Sequence, residues 1–276
     1  MTARAEQRVR HRRTVTRRRA VIGGTAALGI TGAAILTTSL LSSAGAATTW
    51  PKATGNKAVA KTITVSKSYD GHLQKYYGTG ALGTSDQAED QDPVFELKDG
   101  AVLKNVIIGT PAADGVHCLG SCTLRNVWWL DVGEDAASFK GKKASAVYKV
   151  IGGGAQKADD KVLQFNGAGK LSVTGFQVKD AGKLVRSCGN CKTQYKRSIT
   201  LSDIDVTYPI KDVVGVNANY GDTATLSKIR IHGDTKKKAK VCQEFKGNSS
   251  GKEPTSLRSG PDGTACHYKS SDITYQ

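Results

Sequence analysis

The sequence predicts an all-β chain wound as a right-handed parallel β-helix, a single-stranded solenoid. Three observations point there. A short strand pattern recurs as Leu103-Lys-Asn-Val106, Leu124-Arg-Asn-Val127, Tyr148-Lys-Val150, Leu171-Ser-Val173, Leu201-Ser-Asp-Ile204 and Leu226-Ser-Lys-Ile229, at intervals of 21, 24, 23, 30 and 25 residues. Each run alternates apolar and polar residues and ends in Gly, Asn or Asp, with no helical stretch between runs. Gly is 31 of 276 residues while hydrophobic residues are only 38%, which suits a turn-rich chain with a narrow core. One rung cannot bury its own apolar face, but stacked rungs share a continuous core. A β-sandwich is the alternative; it favours Asn-Gly hairpins, of which this chain has few. The composition excludes a membrane transporter, a coiled coil and a disordered tail.

From the N-terminus, residues 1–19 carry eight Arg and one Glu, and residues 20–46 carry no charge. A basic head, an apolar middle and a small-residue end at Ala44-Gly45-Ala46 read as a secretory signal peptide over residues 1–46. Arg17-Arg18-Arg19 suggests the twin-arginine route. An uncleaved anchor is the alternative, weakened by the Gly and Thr content of the apolar run. Cleavage lowers the net charge from +16 to +9 and leaves residues 47–276 as one secreted, extracellular domain, expected to be monomeric and without lasting membrane association. Residues 47–62 are expected to cap the coil, and residues 235–276 to form an irregular C-terminal segment.

All six Cys lie in that domain, and an even count in an exported chain reads as disulfides. Pairing sequence neighbours joins Cys118 to Cys122, Cys188 to Cys191 and Cys242 to Cys266. Zinc is the competing reading, because CxxxC and CxxC are ligand spacings. In the strand containing Trp128 and Trp129, alternation places one ring in the core and leaves the other outward, with packing favoured over sugar stacking for the outer one.

Charge is sorted along the chain. Residues 86–135 hold ten carboxylates against three basic residues, whereas residues 136–276 hold 24 Lys or Arg against 12 acids. Most of such an island is ordinarily a solvated face. Yet Glu89, Asp114, Asp135, Lys161 and Arg186 follow one another at 25, 21, 26 and 25 residues, about one rung each. Stacked rungs would align them in one column, with Glu134 and Lys183 beside it. Close carboxylates need a cation, because they cannot all ionise cheaply. Hard oxygen ligands outside a cell point to Ca²⁺, with Asp114, Glu134 and Asp135 as its ligands and His117 as a structural residue. Lys161, Lys183 and Arg186 then form a cationic wall suited to a polyanionic chain.

These residues sit in stretches that resemble a known family. SDQAEDQDPVFELKDGAVLKNVIIG (85–109), PAADGVHCLGSCTLRNVWWLDVGEDAASFKG (111–141), DDKVLQFNGAGKL (159–171) and DAGKLVRSCGNC (180–191) are similar to the small secreted calcium-dependent pectate lyases of the third polysaccharide lyase family. The resemblance covers most of residues 60–276 and weakens beyond about 230. It implies a parallel β-helix that cleaves de-esterified polygalacturonate, the backbone of pectin, by β-elimination with Ca²⁺. It implies that Asp114, Glu134 and Asp135 hold the catalytic ion and Asp131 a further structural one. It implies Lys161 as the base, Glu89 as an acid, Lys183 and Arg186 as substrate-binding groups with Arg186 also at the reacting centre, and Lys140 as a groove lysine. Leu130 departs from the family, where an acid is usual, which bears on the structural ion.

β-Elimination removes the C5 proton of a galacturonate, and a lysine base must first be neutral. Beside Ca²⁺, Lys183 and Arg186, like charge is expected to lower the Lys161 pKa from its usual value of about 10.4 and move the optimum to alkaline pH. Two other functions compete. A polygalacturonase-type hydrolase needs two carboxylates and no metal. A non-catalytic binder would coat anionic polysaccharide, teichoic acid or DNA through its basic charge, using the run Lys236-Lys237-Lys238-x-Lys240. Polygalacturonate is the expected partner, and nucleic acid is not.

Overall fold

A computed structural model describes residues 49–88 and 90–276 of the protein. The signal-peptide reading of residues 1–46 and the position of Glu89 lie outside the described residues. The described chain is a parallel β-helix whose turns each carry three short strands separated by bends.

The first bend explains the Leu-x-Asn-Val signal. Asn105 and Asn126 adopt left-handed backbone conformations with φ of 53° each, which Asn tolerates better than most residues. Their side chains form a ladder across rungs. Asn126 Nδ2 donates to Asn105 Oδ1 at 2.8 Å, and Asn105 Nδ2 donates to Asp70 Oδ1 at 3.1 Å. Asp203 and Lys228 turn the same corner in later rungs. Residues before the bend form one parallel sheet and residues after it a second. Where no loop intervenes, a single strand runs round all the corners, as in Val147–Phe165, Gly169–Ser187 and Arg197–Asn217.

The third sheet carries the site. It stacks Phe95–Leu97, Val116–Cys118, Asp135–Phe139, the ends of the three long strands, and Lys240–Lys246. Inward-facing residues fill the coil. Phe139, Tyr148 and Phe165 form an aromatic stack with centroids 5.1 to 6.2 Å apart. The Tyr148 hydroxyl lies 3.2 Å from the Gly141 carbonyl and 3.1 Å from that of Ala168. This gives its polar end partners inside the core.

Three expectations change. Leu124 aligns with Val150, then Val173, Leu201 and Leu226, so Tyr148 and Leu171 sit two residues before the expected register. A two-residue slip returns apolar side chains to the same face, so alternation cannot detect it. The second change concerns Trp128 and Trp129, both of which are buried. Trp128 is covered by Trp50, edge-on at 5.0 Å, and its Nε1 donates to Asn126 Oδ1 at 2.6 Å. The third is the C-terminal segment, which is not irregular. Lys240–Lys246, Cys266–His267 and Ile273–Tyr275 each add a strand to one of the three sheets, making a last rung with a hairpin through Thr255–Ser259.

The disulfides join Cys118 to Cys122, Cys188 to Cys191 and Cys242 to Cys266. No free Cys is left among the described residues, so the zinc alternative has no thiolates to use. Among these residues no helix is long and apolar enough to cross a membrane.

Candidate active site

Two tight loops bring the acids together. Gly115 has φ of 47°, and a Cβ there would lie 2.2 Å from the Ala136 carbonyl. A Cβ on Gly133 would lie 2.1 Å from the Ala113 carbonyl. Only glycines allow this approach, and Glu134 N–H then donates to that same carbonyl at 3.1 Å. The strings Ala-Asp-Gly and Val-Gly-Glu-Asp are therefore the two halves of one constellation. Asp114, Glu134 and Asp135 are all buried, with ligand oxygens within 4.8 Å of one another. Burial, with the charges of Glu134 and Asp114, pushes the Asp135 carboxyl well above its ordinary range despite the opposing pull of Lys161. Asp114 Oδ1 is buried without a hydrogen-bond partner among the described residues. A cluster of close, dehydrated, hard oxygen donors fits a divalent cation such as Ca²⁺.

Lys161 extends over this cluster. Its Nζ lies 3.4 Å from Glu134 Oε1, 3.7 Å from Asp135 Oδ1 and 2.8 Å from Asp160 Oδ2. Lys183 donates to the other oxygen of Asp160. Burial alone would raise Asp160, but these two lysines hold it at about 2. Among the protein's own groups the expectation for Lys161 reverses. Burial lowers its pKa, yet Asp135, Asp160 and Glu134 outweigh burial and raise it above the ordinary lysine value. The like charges invoked from the sequence are outnumbered by the carboxylates around the ammonium group.

The expected single column is two columns. Asp135, Lys161, Lys183, Asp212 and Lys240 are in direct register. Arg186 instead aligns with Gln164, Ser138 and His117 on one side and Gly215 on the other. The 25-residue step from Lys161 to Arg186 therefore overshoots the rung by three residues. The columns are joined, since Ser138 Oγ donates to Asp135 Oδ2 at 3.1 Å. Arg186 is 5% exposed and its guanidinium lies 3.9 Å from the centre of the Phe245 ring. Burial, eased by Asp222 and Asp212, lowers its pKa to about 10.

His117 does more than pack. Its Nε2 lies 2.5 Å from Asp114 Oδ2 and 2.9 Å from Lys140 Nζ, so it orients one acid of the cluster and ties it to the groove lysine. The only sequence signal for this was the three-residue spacing of Asp114 and His117; the contact with Lys140 had none. Lys140 Nζ also lies 3.7 Å from Asp114 Oδ2. Asp131 stands apart from the cluster, 3.8 Å from Lys157 Nζ, and lines a groove of 820 Å³. That groove passes Asp159 and Gly182, the neighbours of Asp160 and Lys183, and ends at Lys211, Lys238 and Lys240. A second acidic group, Glu244 with Asp262, includes Cys266, whose sulfur is already in a disulfide.

Known proteins share this architecture. The pectate lyase family model matches residues 47–252. Pectate lyase E of Emericella nidulans is 46% identical over 220 residues, covering 79% of this chain and 83% of its own. Probable pectate lyase D of Aspergillus fumigatus is 46% identical over 207 residues, covering 75% and 82%. The crystal structure of the catalytic domain of pectate lyase PelI from Erwinia chrysanthemi superposes with a TM-score of 0.68 at 33% identity, covering 80% of this chain and all of that one. PelI in complex with tetragalacturonic acid gives a TM-score of 0.66 at 33% identity, covering 79% and 70%.

Proposed function

This chain belongs to the pectate lyase family, and we propose that it is a calcium-dependent member of the third polysaccharide lyase group, acting outside the cell on de-esterified polygalacturonate. Its activity, β-elimination of a polysaccharide, follows from that membership; the hydrolase and passive-binder alternatives give way to it. Removal of residues 1–46 before the folded domain acts, and a monomeric state, complete the proposal. The tetragalacturonate bound by PelI supports an acidic galacturonan as the substrate.

The observation that carries the calcium reading is the buried trio of Asp114, Glu134 and Asp135, with Asp114 Oδ1 lacking a hydrogen-bond partner among the described residues. A divalent ion held there would bind the substrate carboxylate, take up charge that develops at C5 and cancel the field that keeps Lys161 protonated. The chain's own groups do the rest. Lys161 is the base that removes the C5 proton. Asp160 orients Lys161 and Lys183 from one carboxylate, one lysine on each oxygen. Lys183 and Arg186 hold uronate carboxylates, and Lys140 reaches the same cluster from the neighbouring rung. His117 holds the Asp114 carboxylate in place. Glu89 is proposed as the acid for the O4 leaving group, and Asp131 as a ligand of a separate structural ion.

Ultraviolet absorbance on polygalacturonate tests this reading. Unsaturated product should accumulate with calcium and stop on chelation. Steady cleavage in chelator, or reducing ends without absorbance, would refute it.

A further inference from the structure

Arg186 is a buried cation that no carboxylate touches: Asp222 and Asp212 act on it only from a distance. Among the described residues it makes no ion pair, although burial of a charge without a partner in contact is costly. What holds it is neutral. Nη1 donates to Asn217 Oδ1 at 3.0 Å and to the Ser187 carbonyl, and the face of the guanidinium rests on Phe245. Space for this is provided by Gly215, where a Cβ would lie 2.8 Å from Arg186 Cδ, and by Gly189, where one would lie 2.5 Å from Nη2.

Asn217 is fully buried and its orientation is determined by its neighbours. Its Nδ2 donates to the Cys188 carbonyl at 2.8 Å, so Oδ1 is the atom that faces Arg186. The backbone of Asn217 is fixed in turn. Its N–H donates to Asp222 Oδ2 at 3.1 Å, while Asp222 Oδ1 accepts the Arg197 N–H at 2.9 Å. Arg197 reaches across the coil to the carbonyls of Gly167 and Asn166, 2.8 Å each. A chain of buried groups thus runs from the middle of the coil to the guanidinium.

We propose that Asn217 is a positioning residue, a neutral tether that aims Arg186 at the substrate carboxylate without cancelling its charge. An Asp in its place would keep the acceptor but pair with Arg186 and compete with the anionic substrate. This rests on the pectate lyase reading of the site. Removing an interaction that strengthens as charge develops lowers turnover as well as affinity.

The test is a double-mutant cycle of Asn217→Asp with Arg186→Lys, read as kcat and KM on polygalacturonate beside thermal melting. Asn217→Asp should lose about tenfold in kcat/KM, because the new carboxylate pairs with Arg186 and competes with the substrate for it. In the Arg186→Lys background it should cost less than about twofold, because the pair acts as a unit. If Asn217→Asp fails to fold, Asn217→Ser enters the same cycle with the same expected coupling. Wild-type kcat/KM in the variant that folds, or an equal loss in both backgrounds, would overturn the tether. Failure of the lyase reading looks different: the wild-type protein itself would then form no unsaturated product.

Discussion

Two charged clusters lie on the outside of this coil, and they differ in how completely they are closed. On the second sheet Arg230 donates to Asp203 Oδ1 and to both oxygens of Asp205, each at 2.7 Å, and His232 Nε2 lies 3.0 Å from Asp205 Oδ1. These side chains are 24 to 38% exposed, and the donors point at matching acceptors. On the third sheet Asp114, Glu134, Asp135 and Lys161 are withdrawn from water, and Asp114 Oδ1 has no hydrogen-bond partner among the described residues. The surface cluster holds Asp205 below its ordinary pKa, chiefly through Arg230. The buried cluster drives Asp135 the other way, chiefly through lost hydration. Similar residues thus form a rung-to-rung brace in one place and a crowded, buried acidic cluster in the other.

The sharpest way to break that contrast is to remove the lysine of the buried cluster. Lys161→Ala should reduce turnover by about 10²–10⁴, the usual worth of a positioned base. The same substitution should also lower the melting temperature in chelator, because it leaves the carboxylates of Glu134, Asp135 and Asp160 without the lysine that faces them. Turnover is therefore compared at a temperature where both proteins are folded. Near-normal turnover in Lys161→Ala, with Glu89→Ala inactive, would move the base elsewhere. Arg230→Gln, at the closed cluster, should leave turnover unchanged.

Metal linkage gives the next largest difference. Calcium at about 100 times its dissociation constant should stabilise the protein by about 2.7 kcal/mol, roughly 5 °C in the melting temperature of a domain this size. Asp135→Asn should melt higher than wild type in chelator, since it removes one of three crowded buried acids, and should lose most of the calcium shift. An undiminished calcium shift would place the ion outside Asp114, Glu134 and Asp135.

The buried cluster was largely legible in the sequence, whereas nothing in it singled out the brace of Arg230 with Asp203 and Asp205. The rungs followed from apolar alternation, and the acids from Asp114, Glu134 and Asp135 falling one rung apart within an acidic stretch. The glycines beside them, Gly115 and Gly133, mark where two loops must touch. Column membership was less legible, because loops of unequal length sit between strands. Lys161 aligns with Lys183 after 22 residues, and Lys183 with Asp212 after 29. A uniform step of about 25 therefore selects Arg186, three residues too far. The role of His117 depends on a contact with Lys140 from the next rung, and the covering of Trp128 on Trp50 from the N-terminal segment. No local pattern encodes either contact.

The closed cluster should show its worth in stability. Arg230→Gln should cost about 1 kcal/mol or less, roughly 2 °C, because the group is partly exposed and screened. The pH dependence has a definite sign. Asp205 has a folded pKa below its unfolded value, so its contribution is present above the unfolded value and is lost as pH falls through the folded one. Melting of wild type should therefore fall more steeply on acidification below about pH 4 than melting of Arg230→Gln. Parallel curves would mean that Arg230 is not what holds Asp205 ionised.

The smallest expected effect lies where the buried cluster grades into open surface. The groove that begins at Asp131 and Asp159 ends in Lys211, Lys238 and Lys240. The loop that carries Lys238 and leads into Lys240 is built rather than loose. Buried Asp234 accepts the N–H groups of Lys238 at 2.9 Å and Ala239 at 2.8 Å, and Lys237 lies 4.8 Å from the centre of the Tyr275 ring. Lys240 also continues the column of Lys161, Lys183 and Asp212, so a long polyanion crossing the site would pass it. The charges there are hydrated, and their grip is screened by salt. Lys238→Gln combined with Lys240→Gln should raise KM for long polygalacturonate about threefold at low salt and leave kcat unchanged. The effect should vanish for short oligogalacturonates and at high ionic strength. An equal change on every chain length would mean that these lysines act on the reacting centre, and the distinction between a buried receptor and a solvated guide would fail at this edge of the molecule.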